Sequence, residues 1–300
     1  MIRKATLIIT HPNPDLDAIG FVYSARKVFG SKVPVECRMP TQEELKDPTV
    51  IVGDIGLPGY EDIGYNPALN NFDHHYSHAD RSATFLFNEE YHTLRQDIVK
   101  YIDAVDLRRQ VEESEHSLQV AIAGIRVRHE GADLKILEEG GKLLKWLEKT
   151  GQKPEDLSGT LPDKFQEYLQ TGIDVLRQIR KDSEAMQKHR TQKGRLVGYV
   201  QTPFPIFSMV KEEMFARGID IAVAHNPEKR RFSIASSVSG GKGANLKAEG
   251  LIEALNQAEW GKGLPHDQGW GGHEDRIGSP KPSGSLLTSE EVLAIVKATL

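Results

Sequence analysis

Ala5-Thr6-Leu7-Ile8-Ile9-Thr10-His11-Pro12-Asn13-Pro14-Asp15-Leu16-Asp17-Ala18-Ile19-Gly20 decides the fold class of this 300-residue chain. Ala5 to Thr10 is a short β-rich apolar run and reads as a buried strand. His11-Pro12 ends it. Ile19, Val22, Tyr23 and Val28 then fall at helical spacing and predict a helix over Ala18 to Phe29. Val33 to Met39 and Thr49 to Val52 are further strand candidates, and Asn70 to Asp73 ends another. This alternation predicts an α/β fold with a parallel sheet covered by helices on both faces.

From about Ser82 helices dominate. Leu94, Ile98, Ile102 and Val105 share one helical face, and Leu118 to Val127 and Leu134 to Leu147 are also helix-like. Thr150 to Pro154 breaks the run. Lys164 to Lys193 is charged and reads as a helical bridge. A second alternating unit starts near Arg195, with strands at Leu196 to Val200, Ile219 to Ala224 and Phe232 to Ser236, and helices at Ile206 to Arg217 and Leu246 to Asn256. Lys229-Arg230-Arg231 reads as a solvated hairpin turn. Gly269 to Gly284 reads as loop. Thr288 with Glu291 forms a capping box for a last helix ending near Leu300. The expected organisation is therefore a domain over 1–150, a helical linker over 151–193 and a smaller domain over 194–300.

The net charge of −5 disfavours long nucleic acid held through its phosphates. Cys37 is the only cysteine, so no intrachain disulfide and no cysteine-rich zinc site can form, and a reducing compartment is expected. The N-terminal apolar run is too brief for a signal peptide or a membrane span. A cytoplasmic enzyme with no membrane partner is the expectation; a homodimer is left open.

Three strand ends carry chemistry. His11, Asp15 and Asp17 follow the first strand, Asp54 follows Thr49 to Val52, and Asp73-His74-His75 follow Asn70 to Phe72. In open α/β sheets, ligands bind outside the carboxyl ends of strands. Clustered carboxylates repel and raise one another's pKa unless cations neutralise them. A mixed carboxylate and imidazole set suits Mn, Fe, Co or Zn better than Ca. A carboxylate shared between two metals suits attack of an activated water on a phosphoryl group. Asp15 or Asp17 alone would read as a helix N-cap and His11 alone as a loop histidine; their joint occurrence favours a metal site.

This spaced set, His11-Pro12-Asn13-Pro14-Asp15-Leu16-Asp17, Gly53-Asp54 and Asp73-His74-His75, resembles the DHH phosphoesterase superfamily. Gly271-Gly272-His273, followed by Gly278-Ser279-Pro280, resembles the Gly-Gly-His loop of the first subtype of DHH-associated C-terminal domain. The resemblance implies an N-terminal parallel-sheet DHH domain joined by a helical linker to a smaller α/β C-terminal domain, with the active site in the cleft. It implies two metal ions per chain, usually manganese, with cobalt or magnesium as alternatives. One would be held by His11, Asp15 and Asp54. The other would be held by Asp17, Asp54, His74 and a further aspartate, for which Ile102-Asp103-Ala104-Val105-Asp106-Leu107 offers Asp106, the favoured choice, or Asp103. His75 would face the substrate phosphate, and Asp73 would orient the neighbouring histidines. His273 would contact the scissile phosphate. Gly271, Gly272, Ser236, Ser237 and Lys242 would help bind phosphate or nucleoside. The chain departs from many relatives in lacking an arginine beside Ser236-Ser237 and in following His273 with Glu274-Asp275-Arg276.

The expected activity is hydrolysis of a phosphodiester such as a short oligonucleotide or dinucleotide. Alternatives are a phosphatase acting on polyphosphate or another small phosphoester, and a metal-binding regulatory protein without turnover. A type II inorganic pyrophosphatase shares the N-terminal set but should lack the Gly-Gly-His loop. Neither a Gly-x-Gly-x-x-Gly turn after the first strand nor a Gly-x-x-x-x-Gly-Lys-Ser/Thr loop is present, so a dinucleotide oxidoreductase or a P-loop ATPase is a poor reading.

Overall fold

Strand β1 (Leu7–Thr10) is buried apart from Leu7, because both faces of its sheet are covered. The Pro12 to Pro14 stretch ends it, and Asp15 caps helix α1 (Leu16–Phe29) by accepting the N–H groups of Asp17 and Ala18. Strand β2 (Val35–Cys37) lies parallel to β1. Helix α2 (Gln42–Lys46) opens on a capping box between Thr41 and Glu44. Strand β3 (Val50–Gly53) runs parallel on the other side of β1, with Ile8 opposite Ile51 and Ile9 opposite Val52. Helix α3 (Glu61–Gly64) and strand β4 (Tyr65–Asn66) lead to β5 (Asn71–Phe72), which joins β3 in parallel. The order is β2-β1-β3-β5-β4, with β4 antiparallel at the edge. The computed structural model describes residues 4–57, 59–74, 77, 79–107, 114–159, 161–237, 243–272, 274–280 and 283–300.

Side chains alternate across this sheet. Ile9, Val50 and Val52 enter a cluster with Leu45 and Ile55, while Ile8 and Ile51 face the other way and are fully buried. Helices α4 (Ala83–Tyr91), α5 (Gln96–Asp106), α6 (Leu118–Arg128), α7 (Asp133–Thr150) and α8 (Asp163–Glu184) follow. Phe21 of α1, Phe72 of β5 and Phe87 of α4 meet edge-on or tilted, at centroid distances of 5.5 Å for Phe21–Phe87 and 4.9 Å for Phe72–Phe87. Such packing fixes the C-terminal end of β5. Gly53 is required beside it: a Cβ there would lie 2.4 Å from the Phe21 ring. Helices α6 and α8 touch backbone to backbone, since a Cβ at Gly124 or Gly172 would lie 1.9 Å from the carbonyl of Tyr168 or Val120.

The chain divides into two compact units, Met1–Asp174 and Val175–Leu300, the division falling inside α8. The second holds a six-stranded sheet built from β6 (Gln187–Arg190), β7 (Leu196–Gln201), β8 (Ile221–Asn226), β9 (Arg231–Ser236), β10 (Gly271–Gly272) and β11 (Arg276–Gly278), in the order β10-β11-β9-β8-β7-β6. Only β7 and β8 are parallel, and helix α9 (Phe207–Ala216) connects them. Val197, Tyr199, Ile221, Val223, Phe232 and Ile234 pack against Leu251 and Leu255 of α10 (Leu251–Gly261) and Val292 and Val296 of α11 (Ser289–Thr299).

Three expectations need correction. The helical bridge ends at Glu184, and Gln187–Arg190 is an edge strand instead. Its exposed Gln187, Lys188 and Arg190 are the charged and polar residues that keep a free edge from pairing with another chain. The stretch Gly269 to Gly284 is not all loop: Gly271 and Gly272 pair with Gly278 and Ile277. The helix expected at Leu246 to Asn256 runs over Leu251–Gly261, started by Gly250 at a φ of 80°. Among the described residues no helix is long and apolar enough to cross a membrane.

Candidate metal centre

The carboxyl ends of β1, β3 and β5 bring together the residues that the sequence spaces far apart. His11 Nδ1 lies 2.9 Å from the carbonyl of Pro12, which leaves Nε2 pointing at Asp54 Oδ2 (3.1 Å) and Asp15 Oδ1 (3.6 Å). With the proton on Nδ1, the Nε2 lone pair is the one available to a cation. Asp54 follows β3 in the left-handed region, φ 57°, and is 1% exposed. Aspartate tolerates that conformation better than most residues; such strain at a strand end is a mark of a functional position. His74 Nδ1 lies 3.8 Å from Asp54 Oδ1 and 3.9 Å from Asp17 Oδ2.

Two triads therefore exist, His11–Asp15–Asp54 and Asp17–Asp54–His74. In each, one ligand atom per residue lies within 4.8 Å of the others. Asp54 belongs to both. Asp15 serves the site and the helix together, its Oδ1 being also the cap of α1. Asp17 is held by the first turn of α4: its carboxylate accepts the N–H groups of Ala83 (2.7 Å) and Thr84 (2.8 Å), and Thr84 Oγ1 donates to its carbonyl. Gly20 permits this approach, since a Cβ there would lie 2.5 Å from Thr84 Oγ1. Sequence reasoning missed this second anchor of Asp17; Ser82, a good N-cap residue, was its only local signal.

Asp103 and Asp106 separate. Asp103 Oδ1 accepts Ser82 N–H (2.8 Å) and Arg81 Nε (3.1 Å), and its Oδ2 pairs with Arg81 Nη2 at 3.0 Å. Asp106 Oδ2 instead lies 3.0 Å from His74 Nε2. It stands on the far ring nitrogen and outside both triads. Asp73 is fully buried, its N–H bonded to the Gly64 carbonyl and its carbonyl to Ser77 Oγ. His75, Lys242 and His273 lie outside the described residues.

In the second unit, Gly271 and Gly272 are exposed. Gly272 has a φ of 145°, and a Cβ there would lie 2.3 Å from the Arg276 carbonyl, so glycine is needed there. Ser236 is buried and its Oγ accepts the N–H of Ala244 at 2.6 Å. Ser237, also buried, bonds through its N–H to the Asp220 carbonyl.

The electrostatics of the cluster follow from this geometry. Burial opposes charge on His11, yet Asp54 and Asp15 outweigh it and hold the imidazole well above its ordinary pKa. Burial likewise opposes charge on His74, but contact with Asp106 and the charges of Asp54 and Asp17 push it up to about 10. Burial, then Asp54 and Asp106, raise the carboxyl of Asp17 well above the usual range. Asp15 is pushed up by burial and Asp54, but His11 and Arg126 prevail and leave it below its ordinary value. Carboxylates that strain one another and imidazoles that hold protons to compensate are a donor set suited to two divalent cations, which would take the place of those protons.

The fold and the cluster thus define a class: an α/β protein with a candidate two-cation site at the carboxyl ends of a parallel sheet. No protein-family model and no curated protein matches the sequence. Among solved structures, the pGpG-specific phosphodiesterase PggH from Vibrio cholerae is similar in fold, with a TM-score of 0.53 over 98% of this chain and 97% of that one, at 11% sequence identity. The DHH domain of a member of the s1p family of ribosomal proteins gives a TM-score of 0.44, 12% identity, and coverage of 97% of this chain and 85% of that one.

Proposed function

We propose that this chain is a metal-dependent phosphoesterase of the DHH superfamily, hydrolysing a phosphodiester such as a dinucleotide or short oligonucleotide with two manganese ions. The carrying observation is Asp54, one buried carboxylate common to two ligand triads. The fold likeness to a phosphodiesterase supports the reading. His11, Asp15 and Asp54 hold one ion. Asp17, Asp54 and His74 hold the other, and Asp106, on the far nitrogen of His74, orients that imidazole. When bound, the two ions supply Lewis acidity and an activated water for in-line attack on phosphorus.

The chain's own groups do the rest. The N–H groups of Ala83 and Thr84 fix the direction of Asp17, and the Pro12 carbonyl fixes that of His11, so the donor atoms need little reorganisation on binding. Asp73 orients the histidine pair and His75 faces the substrate phosphate. The N-terminal unit is the metal-binding part and the C-terminal one the substrate-binding part.

The test is hydrolysis by metal-depleted protein repleted with Mn, Co, Mg or Zn. The panel is an aryl phosphodiester, an aryl phosphomonoester, linear and cyclic dinucleotides, and polyphosphate. Manganese-dependent cleavage of the diesters, fastest on a dinucleotide, is expected. No metal-dependent turnover on any member overturns the reading; turnover confined to polyphosphate or the monoester overturns the substrate assignment.

A further inference from the structure

The cap residue and the first two residues of α4 offer three consecutive N–H groups that the helix itself cannot use. Carboxylates take all three. Ala83 and Thr84 donate to Asp17 at 2.7 and 2.8 Å, and Ser82 donates to Asp103 Oδ1 at 2.8 Å. Asp17 belongs to the second ligand triad, whereas Asp103 belongs to neither. Asp103 is 1% exposed. It is held in turn by Arg81, with Nε 3.1 Å from Oδ1 and Nη2 3.0 Å from Oδ2. A carboxylate gripped by both arms of a guanidinium has a fixed direction. Arg81 also lies over the Phe85 ring, 3.4 Å from its centroid, and Phe85 donates its N–H to Ser82 Oγ at 3.3 Å. The Asp103–Arg81 pair is therefore tied twice to the same turn of α4 that aims Asp17.

Helix α5 reaches the second triad by another route as well. Asp106, one turn after Asp103, lies 3.0 Å from His74 Nε2. Asp17 and His74, the two members that the triads do not share, are thus both oriented from α5, one through α4 and one directly. The first triad is held otherwise: His11 by the Pro12 carbonyl, and Asp15 by the N–H groups of Asp17 and Ala18.

We propose that Asp103 and Arg81 are positioning residues for the second cation alone, holding the start of α4 so that its N–H groups keep Asp17 turned toward Asp54 and His74. This rests on the two-cation reading of the site. The experiment titrates metal-depleted parent, Asp103→Ala, Asp103→Asn and Arg81→Met with manganese by calorimetry, with free manganese followed by paramagnetic resonance. His11→Gln identifies the constant that belongs to the first triad. All three variants are expected to bind two ions at saturation, as the parent does. The constant for the second ion weakens about tenfold or more in Asp103→Ala, the scale of losing an outer partner of a metal ligand. It weakens less in Asp103→Asn, which keeps an acceptor for Ser82, and in Arg81→Met, which keeps the carboxylate. The constant for the first ion stays as in the parent. Urea unfolding of the metal-free proteins runs alongside. Equal weakening of both constants, or a loss of stability with neither constant changed in any variant, is what a purely structural pair would give and overturns the assignment. If the second constant alone weakens but no phosphoester is cleaved by the parent, the phosphoesterase reading falls while the positioning role stands; a parent that binds fewer than two ions overturns both.

Discussion

Replacing Asp54 by asparagine keeps the size of the side chain and suits the left-handed φ of 57° at that position. It therefore removes one charge and one shared ligand and leaves the backbone at ease. In the metal-free protein, at an effective dielectric of about 20, Asp54 gains about 5 kcal/mol from protonated His11 at 3.1 Å and about 4 kcal/mol from protonated His74 at 3.8 Å. Repulsion from Asp15 and Asp17, each with an oxygen within 4.8 Å, returns at least about 3.5 kcal/mol each. The two effects nearly cancel. Metal-free Asp54→Asn is thus expected to unfold in urea within about 3 kcal/mol of the parent. Metal-loaded protein behaves differently. The parent gains about 2.7 kcal/mol per site at a metal concentration a hundred times its Kd, and the variant loses most of that. Loss of about 4 kcal/mol of transition-state stabilisation corresponds to a fall of about 10³-fold in kcat. Metal content by mass spectrometry, urea unfolding with and without manganese, and hydrolysis of an aryl phosphodiester read all three. A variant that still holds two ions per chain and keeps more than about a tenth of the activity contradicts the shared role of Asp54.

Asp103→Ala and Asp106→Ala should part company. The first leaves Arg81 and the Ser82 N–H without their carboxylate and is expected to cost about 3 kcal/mol in urea unfolding at unchanged metal stoichiometry; the second is expected to weaken metal binding with little effect on metal-free stability, as calorimetric titration would show. His225, in the second unit, supplies a separate pH test. It is buried, lies with Nδ1 2.9 Å from the Tyr199 hydroxyl and stacks on Phe232 at 3.8 Å; burial depresses its pKa to about 4, slightly offset by Glu290. The unfolded chain takes up this proton near pH 6.5 and the native one only near 4, so the contribution is present above 6.5 and drains away as pH falls through that window. Unfolding measured from pH 7.5 to 4 should show a smaller loss in His225→Gln than in the parent; equal slopes would refute the assignment.

Much of the first unit was legible locally. The run Leu7 to Thr10, the proline-bounded break and the cap at Asp15 are all nearest-neighbour effects, and they place His11, Asp15 and Asp17 at a strand end without knowledge of the rest of the chain. Asp54, Asp73 and His74 needed only the further premise that strands following one another pair in a parallel sheet. Helix α2 could also have been found, since Thr41 and Glu44 spell a capping box. The edge strand Gln187–Arg190 could not: its residues are those of a charged helix surface, and only pairing with β7 makes them extended. The same holds for Gly271–Gly272, whose extended form comes from the partner strand at Arg276–Gly278.

The sequence by itself determined the alternating architecture of the first unit, the strand-end positions of the histidines and carboxylates, and the residue types that make a mixed carboxylate and imidazole donor set. Tertiary structure alone decided that Asp54 belongs to two triads and that Asp106 meets His74 while Asp103 is spent on Arg81 and Ser82. Periodicity and caps are set by interactions within a few residues, which a sequence displays. Which of two aspartates three positions apart on one helix reaches a given imidazole depends on ångström-scale packing between segments distant in the chain, and no local pattern encodes that.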